Sequence, residues 1–475
     1  MRQEIISEFI KKNSFSVRPN AESGIWVFFL LPISLIVSLI RHPIILTPTY
    51  KLATLTSLTL FCNSLYVILC CYKKQRLQIF NVWPFLISLL TSSLFNICLH
   101  KGWLFSIANG SLTTVLFLKI YCFIMTKLKQ CFTLGEGGLV AQGFVLFMGC
   151  ICYNIYFIIA NINNKYFVKS NMQISTIIIQ AGLLGILSLA FFLYKLQIRS
   201  TKGFYILAFV VLSLIVMLPL HIILEQSPVL WIFSQVLGDI PLLKLFIYWS
   251  FCIGLAILAV KNQIFYARKA STGVRKIFHI LAVLVYIPGL YYRCSFLYLS
   301  TGVILGVFLA LEILRILLIP PLGSQLQEGF IVFNDEKDTG LIALTPIYLL
   351  TGLSLPIWLH PSPCDVTDSA QFTILPLLSG LLAIGIGDTS ASYIGSNFGR
   401  LKWKGTSKTL EGTLACFLSQ LGFIYLLYYL GCLSFLNIEH VIRITLGVFA
   451  TSVIEAFTSQ IDNIVLPLVM YIFLI

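Results

Sequence analysis

The stretch GIGDTSASYIGSNFGRLKWKGTSKTLEGT, residues 385–413, leaves one apolar segment, forms a short polar loop and enters another apolar segment. Asp388 lies within the first apolar segment. The loop carries four cations and four glycines: Arg400, Lys402, Lys404 and Lys408, and Gly395, Gly399, Gly405 and Gly412. Glycine lets backbone N–H groups approach an anion closely, and neighbouring cations favour a polyphosphate. The pattern predicts a phosphate site beside a buried carboxylate; a basic loop placed by membrane topology alone is the alternative.

The composition indicates a membrane protein. Of the 475 residues, 58% are hydrophobic and 11% are charged, whereas soluble domains average about 25% charged residues. The apolar runs are continuous, which indicates membrane helices rather than the alternating strands of a barrel. The sequence therefore predicts an all-α polytopic protein with about 15 transmembrane helices. The predicted spans are 24–40, 52–72, 79–99, 103–125, 137–160, 174–194, 204–224, 241–260, 277–292, 296–319, 340–359, 372–394, 412–434, 442–459 and 463–475.

The basic residues predict an orientation. With the N-terminus in the cytosol, the cytosolic segments hold 22 of the 32 Lys and Arg residues and the opposite side holds six. This bias follows the positive-inside rule, accounts for the net charge of +14 without nucleic acid, and makes the C-terminus lumenal. No cleavable signal peptide is evident, because a polar stretch precedes the first apolar run. The 13 scattered cysteines are expected to be buried thiols rather than disulfides or metal ligands.

The candidate functional residues concentrate in the second half of the chain. Residues 1–240 are predicted to form an N-terminal multi-span scaffold or lipid-facing wall. Residues 241–475 are predicted to form the catalytic region with the cytosolic-face loop 395–413. At the membrane boundary, Arg275, Lys276 and His279 are candidate phosphate contacts, although basic residues at such a boundary also serve as topological anchors.

Acidic residues complete the predicted site. Glu312 and Arg315 are spaced i, i+3 within a predicted span, which predicts a structural ion pair. The acidic loop 335–338 is a candidate for a divalent cation or an ordinary solvated loop. Glu455 and Asp462 are seven residues apart, so they would share one side of a continuous helix.

Five motifs together resemble the dolichol kinase and polyprenol kinase family. They are VRKIFH (274–279), LEILR (311–315), NDEKDTG (334–340), the 385–413 stretch and EAFTSQIDNIVLPL (455–468). CTP-using diacylglycerol kinases and cytidylyltransferases are more distantly similar. The resemblance implies a multi-pass endoplasmic reticulum enzyme whose active site faces the cytosol. Such an enzyme uses CTP to phosphorylate dolichol; the product, dolichyl phosphate, carries sugars for N-glycosylation, mannosylation and GPI-anchor synthesis.

The resemblance also implies roles for individual residues. Catalysis is expected from Asp388, Asp462, Glu455, Lys408 and Glu411. A divalent cation such as Mg²⁺ is expected at Asp388, Asp462 and Glu455. We expect amides around Gly395–Gly399 and the side chains of Lys402 and Lys408 to hold the triphosphate. The CTP-binding segment corresponds to Gly395, Ser396, Asn397, Phe398, Gly399, Arg400, Leu401, Lys402, Trp403, Lys404, Gly405, Thr406, Ser407, Lys408, Thr409, Leu410 and Glu411.

Other functions remain open at this stage. A kinase for a shorter polyprenol, phytol or diacylglycerol would carry the same motifs. A transporter is the alternative from another class, but transporters place their charges near the membrane midplane, whereas these charges cluster at one face. The sequence leaves open which carboxylate accepts a proton and which binds metal.

Overall fold

The chain is helical throughout the part that the structure describes. The computed structural model describes residues 2–42, 47–161, 170–198, 200–265, 272–333, 338–365, 367–371, 374–435 and 437–475. The helices are α1 Arg2–Asn13, α2 Ile25–Arg41, α3 Pro48–Tyr72, α4 Val82–Leu99, α5 Trp103–Lys127, α6 Leu134–Asn161, α7 Asn171–Leu196, α8 Thr201–Leu224, α9 Pro228–Gly238, α10 Ile240–Phe265, α11 Thr272–Tyr292, α12 Cys294–Ile316, α13 Gly323–Phe333, α14 Leu344–Leu359, α15 374–398, α16 Leu410–Tyr429, α17 Ile438–Phe457 and α18 Asp462–Leu474. Within these ranges, β-type pairing is limited to one bridge between Lys402 and Thr409.

The predicted apolar runs coincide with helices in the structure. Among the described residues, 11 helices are long and apolar enough to cross a membrane, namely α3–α8, α10–α12, α16 and α17. The other four predicted runs also coincide with helices: α2, α14 and α18 are shorter, and α15 is interrupted. The all-α polytopic class is therefore confirmed for the described ranges.

Several membrane helices begin at a polar residue that caps them. The side chains of Thr47, Ser170, Ser200, Thr409 and Asn437 accept a hydrogen bond from a backbone N–H group in the first turn. These first-turn N–H groups have no partner within the helix, so a capping oxygen stabilises the helix end. The caps explain why the apolar runs become helical at these positions.

Helix α18 lies between two hydrophobic cores. Ile464 and Leu468 pack into a core built mainly from α1–α6. Leu466, Met470 and Leu474, which are spaced four residues apart, pack into a second core built from α9–α12 and α14–α17. Residues four apart lie on one face of a helix, so α18 presents one face to each core. The C-terminal helix thus joins the two halves of the chain.

Two cysteines form a disulfide, contrary to the sequence-based expectation of thiols. Cys294, the first residue of α12, is bonded to Cys364, 70 residues away. The other 11 cysteines are free thiols, as expected. The long separation explains the error, because only the return of the chain after α14 brings these two positions together. Backbone hydrogen bonds from Cys294 N to Asp368 O (2.9 Å) and from Ala370 N to Leu290 O (2.9 Å) secure that return.

The predicted ion pair in α12 is confirmed. Arg315 Nη2 donates to Glu312 Oε1 at 2.6 Å, and both side chains are largely buried. The pair also holds the chain before α14, since Glu312 accepts from Ala343 N at 2.7 Å and Arg315 donates to Leu341 O at 2.6 Å. In the acidic loop, Asp338 accepts the N–H groups of the first turn of α14. Residues 335–337 lie outside the described ranges.

We expect Gly352→Ala to destabilise the packing of α14 on α18. A Cβ atom at Gly352 would lie 1.6 Å from the carbonyl oxygen of Asn463, which is backbone and cannot rotate away. Overpacking of this kind costs about 1–3 kcal/mol, so the midpoint of thermal unfolding in detergent should fall. The matched control is Gly422→Ala in α16, where nothing lies within 4 Å of the added Cβ. Equal unfolding midpoints for the two variants would contradict the close approach.

Candidate functional site

Asp388 is placed by an unusual stretch of helix. The segment Leu381–Asp388 of α15 is π-helical, a conformation that is rare and is often found at functional sites. Two glycines let α15 approach its neighbours. A Cβ at Gly385 would meet Val283 of α11 at 2.5 Å, and one at Gly387 would meet Gln420 of α16 at 2.5 Å. Asp388 ends the π-helical segment between these helices and is only 3% exposed.

The Asp388 carboxylate contacts two basic side chains of α11. Lys276 forms an ion pair with Asp388 Oδ2, and His279 Nε2 lies 3.7 Å from the same oxygen. Lys276 and His279 are three residues apart, so they share one face of α11. His279 Nδ1 lies 3.2 Å from the carbonyl oxygen of Arg275. Nε2 is therefore the ring nitrogen that faces Asp388.

A second ion pair joins Lys408 to Glu455 of α17. The Glu455 side chain is 2% exposed, whereas that of Lys408 is 39% exposed. Burial alone lowers the pKa of Lys408, but the carboxylates of Glu455, Asp388 and Asp462 outweigh it and raise the pKa above its usual value. Lys408 therefore keeps its positive charge among three carboxylates.

Asp462 belongs to the same cluster by a different route from the one expected. The sequence-based expectation required a continuous helix from Glu455 to Asp462, but α17 ends at Phe457 and Asp462 begins α18. Asp462 nevertheless interacts electrostatically with Asp388, Glu455, Lys408 and His279. The structure thus brings together three carboxylates, two lysines and one histidine that lie up to 186 positions apart (276 to 462).

The basic loop is a short hairpin. Leu410 N donates to Leu401 O at 2.7 Å, and Trp403 N donates to Lys408 O at 3.0 Å. Gly405 lies at the turn with φ +80°, a conformation that favours glycine. The side chains of Arg400, Lys402 and Lys404 are exposed along this hairpin. The loop therefore presents positive charge to solvent while Lys408 turns toward the carboxylates.

Trp403 and Glu411 hold the hairpin in position. The Trp403 indole Nε1 donates to Thr413 Oγ1 at 3.0 Å, and its ring centroid lies 5.1 Å from that of Phe457. The Glu411 carboxylate accepts from Leu401 N at 3.1 and 3.2 Å. These described contacts attach the loop to the end of α17 and close its base. They give Glu411, which the sequence grouped with the catalytic residues, a contact with the hairpin backbone.

The expected phosphate cradle at Gly395–Gly399 needs correction. Residues 395–398 form the last turn of α15, so their N–H groups are used in helical hydrogen bonds and only carbonyl groups are left over at this end. The glycines serve packing instead. A Cβ at Gly399 would lie 2.3 Å from Gly395 O, and one at Gly412 would lie 2.9 Å from Ala391 O. The amides of residues 395–398 are therefore used within the helix, and the lysine side chains stay the candidates for contact with an anion.

The expected cation site on the three carboxylates of Asp388, Asp462 and Glu455 needs correction. In the described part of the chain, no three His, Cys, Asp or Glu side chains are grouped closely enough to enclose a metal ion. Mg²⁺ is commonly held by one or two carboxylates together with substrate phosphates. The oxygen donors of Glu455 and Asp462 suit that arrangement, in which the phosphates supply the remaining ligands.

Two residues from the first half of the chain that the sequence did not single out contact the segment between Glu455 and Asp462. Arg18 and Glu136 form a buried ion pair at 2.6 Å, and Arg18 also donates to Ser459 O at 3.1 Å. Arg18 was counted only as a topological charge in the sequence. The sequence could have indicated this pair through Glu136, because this acidic residue directly precedes a predicted span, where an unpaired carboxylate is unfavourable.

Comparison with known proteins identifies similar sequences. The family model described as Dolichol kinase matches residues 111–351. The Mus musculus protein named Dolichol kinase is 34% identical over 378 residues, which cover 76% of this chain and 68% of the relative. Dolichol kinase EVAN of Arabidopsis thaliana is 29% identical over 443 residues, covering 84% and 76%. Dolichol kinase of Saccharomyces cerevisiae is 31% identical over 257 residues, covering 53% and 46%.

The family match extends further into the first half than the motifs suggested. It begins at residue 111, whereas the motifs that carry the resemblance begin at residue 274. No solved structure matches the chain.

We expect substitutions at Lys408 and Glu455 to have coupled effects on the free energy of unfolding. Activity, in contrast, should need both side chains. Lys408→Met leaves the buried Glu455 carboxylate unpaired, which should lower the free energy of unfolding by about 1–3 kcal/mol. Adding Glu455→Gln removes that charge and should recover most of the stability, but neither variant should recover activity. Thermal unfolding of the single and double variants measures the coupling. Additive losses of stability would contradict the pairing.

Proposed function

The chain belongs to the dolichol kinase family, and from that premise we propose that it transfers the γ-phosphoryl group of CTP to the terminal hydroxyl of dolichol. The observation that carries the proposal is the cluster of Lys276–Asp388 and Lys408–Glu455 beside the basic hairpin 401–410. Phosphoryl transfer depends mainly on positioning and on neutralising phosphate charge. Lysines held in place by carboxylates at a membrane edge supply both. The names of the relatives supply the acceptor, and the family resemblance supplies CTP.

The lysines are proposed to bind the triphosphate. Lys276 and Lys408 are held by carboxylates, and the exposed Lys402 lies on the hairpin that also carries Lys408. Each ammonium group can turn from its carboxylate to a phosphate oxygen, which bears more negative charge. The other cations nearby, Arg400, Lys404 and Arg275, would add to the positive field that attracts the nucleotide. Glu411 and Trp403 would support the hairpin that carries these cations.

Asp388 is proposed to accept the proton of the dolichol hydroxyl. It lies at the end of the π-helical segment in α15, and a lipid hydroxyl would reach it from the membrane. While Lys276 pairs with Asp388, the carboxylate is a weaker base because its negative charge is neutralised. Movement of Lys276 to the triphosphate would restore that basicity when the donor is bound. Proton acceptance would therefore depend on CTP binding.

Glu455 and Asp462 are proposed to hold a divalent cation such as Mg²⁺. The cation would supply additional neutralisation of the phosphate charge. Glu455 would become available when Lys408 turns to the triphosphate. Asp462 already lies in the electrostatic field of Lys408 and Asp388.

The disulfide supports a cytosolic orientation of the site. Helix α11 carries Lys276 and His279 near its start, and its last residue, Tyr292, lies two positions before the bonded Cys294. A helix of about 20 residues is about 30 Å long, so the site and the disulfide lie at opposite membrane faces. Disulfides persist in oxidising compartments such as the lumen of the endoplasmic reticulum. This argument is independent of charge counting and gives the same orientation.

We also propose the finer topology that follows from this orientation. If α2, α14, α15 and α18 cross the membrane together with the 11 longer helices, the chain has 15 spans, a cytosolic N-terminus and a lumenal C-terminus. Residues 1–240 would form the supporting region and residues 241–475 the catalytic region. The proposed location is the endoplasmic reticulum membrane, where dolichyl phosphate is used.

A donor and acceptor panel tests the proposed activity. Membranes containing the protein should transfer label from γ-labelled CTP to dolichol and should require a divalent cation. ATP, GTP and UTP tested as donors, and phytol, short polyprenols and diacylglycerol tested as acceptors, define selectivity. Labelling of another alcohol in preference to dolichol would replace the proposed acceptor. Release of pyrophosphate with formation of a CDP-lipid would instead indicate a cytidylyltransferase.

We expect Asp388→Asn to abolish transfer without loss of the folded protein. The amide keeps the size of the side chain but cannot accept the hydroxyl proton. Turnover should fall by about a hundredfold or more, in line with the usual contribution of general base catalysis. Asp239→Asn is the control, because this carboxylate pairs with Arg293 at the opposite face. Near-normal turnover of Asp388→Asn at equal expression would rule out the proposed base.

A further inference from the structure

The turn formed by residues 458–461 separates two residues of the proposed site. It begins where α17 ends, three positions after Glu455, and it stops at Asp462, the first residue of α18. Any change in the path of this turn therefore alters the distance between the two carboxylates. What holds the turn consequently decides whether Glu455 and Asp462 face one ligand.

Residues from the first third of the chain form hydrogen bonds with this turn. Arg18 Nη2 donates to Ser459 O at 3.1 Å, and Ile461 N donates to Glu136 Oε1 at 2.9 Å. Both polar atoms of the Gln460 side chain form hydrogen bonds. Its Nε2 donates to Glu22 O at 3.0 Å, and its Oε1 accepts from Thr133 Oγ1 at 2.7 Å, while Glu22 N donates to Ser459 Oγ at 3.0 Å. We call Arg18, Glu22, Thr133 and Glu136 the N-terminal bracket.

Three of the four bracket residues, Arg18, Thr133 and Glu136, are buried. Arg18 and Glu136 pair at 2.6 Å with side chains 3% and 4% exposed. Glu136 Oε2 accepts from Thr133 N at 2.9 Å, and Arg18 N donates to Phe132 O at 2.9 Å. Gly24, at φ +62°, allows a close approach, because a Cβ there would lie 2.1 Å from the Gln460 side chain. The N-terminal segment is therefore fitted against the turn as well as hydrogen-bonded to it.

A buried ion pair is not needed for stability alone. Well-packed apolar residues usually stabilise a core as well as a buried pair does, because desolvating two charges is costly. This pair instead directs one hydrogen bond from each partner to the backbone of the turn, at Ser459 and Ile461. Charged hydrogen bonds are shorter and stronger than neutral ones, so they restrict the turn more tightly.

We propose that Arg18 and Glu136 are positioning residues for phosphoryl transfer, which act by fixing the turn 458–461 and so the separation of Glu455 from Asp462. The inference rests on the proposed function of those two carboxylates. It gives the N-terminal region a direct part in the site, beyond that of a supporting wall. A misplacement of about 1 Å can lower turnover by about a hundredfold, so loosening the turn should slow transfer strongly.

The test uses the double variant Arg18→Met with Glu136→Leu in the full-length protein. Changing one partner alone would leave a buried charge unpaired and could unfold the chain, whereas the double change removes both charges. We expect amide hydrogen exchange to become at least about tenfold faster in residues 458–462 while helices α3–α6 stay protected. Turnover with CTP and dolichol should fall by at least about tenfold, with the KM for dolichol unchanged.

Two further variants separate positioning from general support. Arg18→Lys keeps the charge and the contact with Glu136, so it should retain most of the turnover that the double variant loses. Glu312→Leu with Arg315→Met removes a comparable buried pair that contacts Leu341 and Ala343 instead of the turn. In that control, exchange in residues 458–462 should stay at the wild-type rate.

Each outcome then decides the inference. Wild-type turnover or wild-type exchange of the turn in the double variant would overturn it. So would faster exchange that spreads evenly over all helices, since that result indicates general destabilisation. If the wild-type protein shows no CTP-dependent labelling of dolichol, the proposed function fails. In that case, the exchange of the turn still decides whether Arg18 and Glu136 hold it.

Discussion

A charge that is buried within a membrane protein is costly unless it is paired, and three ion pairs with at least one buried partner connect distant parts of this chain. Lys276–Asp388 joins α11 to α15, and Lys408–Glu455 joins the basic hairpin to α17. Arg18–Glu136 joins the N-terminal segment to the start of α6. Because neither partner of a buried pair can be withdrawn without leaving an unpaired charge, the pairs constrain which helices are neighbours. The constraint that holds the helices together also assembles the proposed site.

Helix α18 connects the proposed site to both hydrophobic cores. Its two faces pack into separate hydrophobic cores, and its first residue is Asp462. The close approach of Gly352 to Asn463 sets α14 against the same end of the helix. A site residue is thus carried on the element that joins the two halves of the protein. This position explains how residues near the N-terminus come to contact the turn beside the site.

The candidate residues were largely predictable from sequence, but several of their contacts were not. An intramembrane carboxylate such as Asp388 is unfavourable without a role, and the basic loop beside it stands out in a chain with few charges. The glycines do not have the role that the sequence suggested. Gly399 and Gly412 serve helix packing, and the amides of residues 395–398 form helical hydrogen bonds within α15. Glycine content alone cannot distinguish close approach to a ligand from close approach to another helix. The pairing of Lys276 with Asp388 likewise depends on how α11 packs against α15.

By itself, the sequence determined the class of protein, the position of its long apolar helices and the identity of its unusual residues. Continuous apolar runs can satisfy their backbone only as helices in a membrane, and charges within them require a reason. Only the tertiary structure decided which charges meet, that Cys294 reaches Cys364, and that Arg18 and Glu136 hold the turn before Asp462. These contacts join positions 47 to 441 residues apart. Local sequence carries no record of such distances, because helix packing rather than chain connectivity brings the partners together.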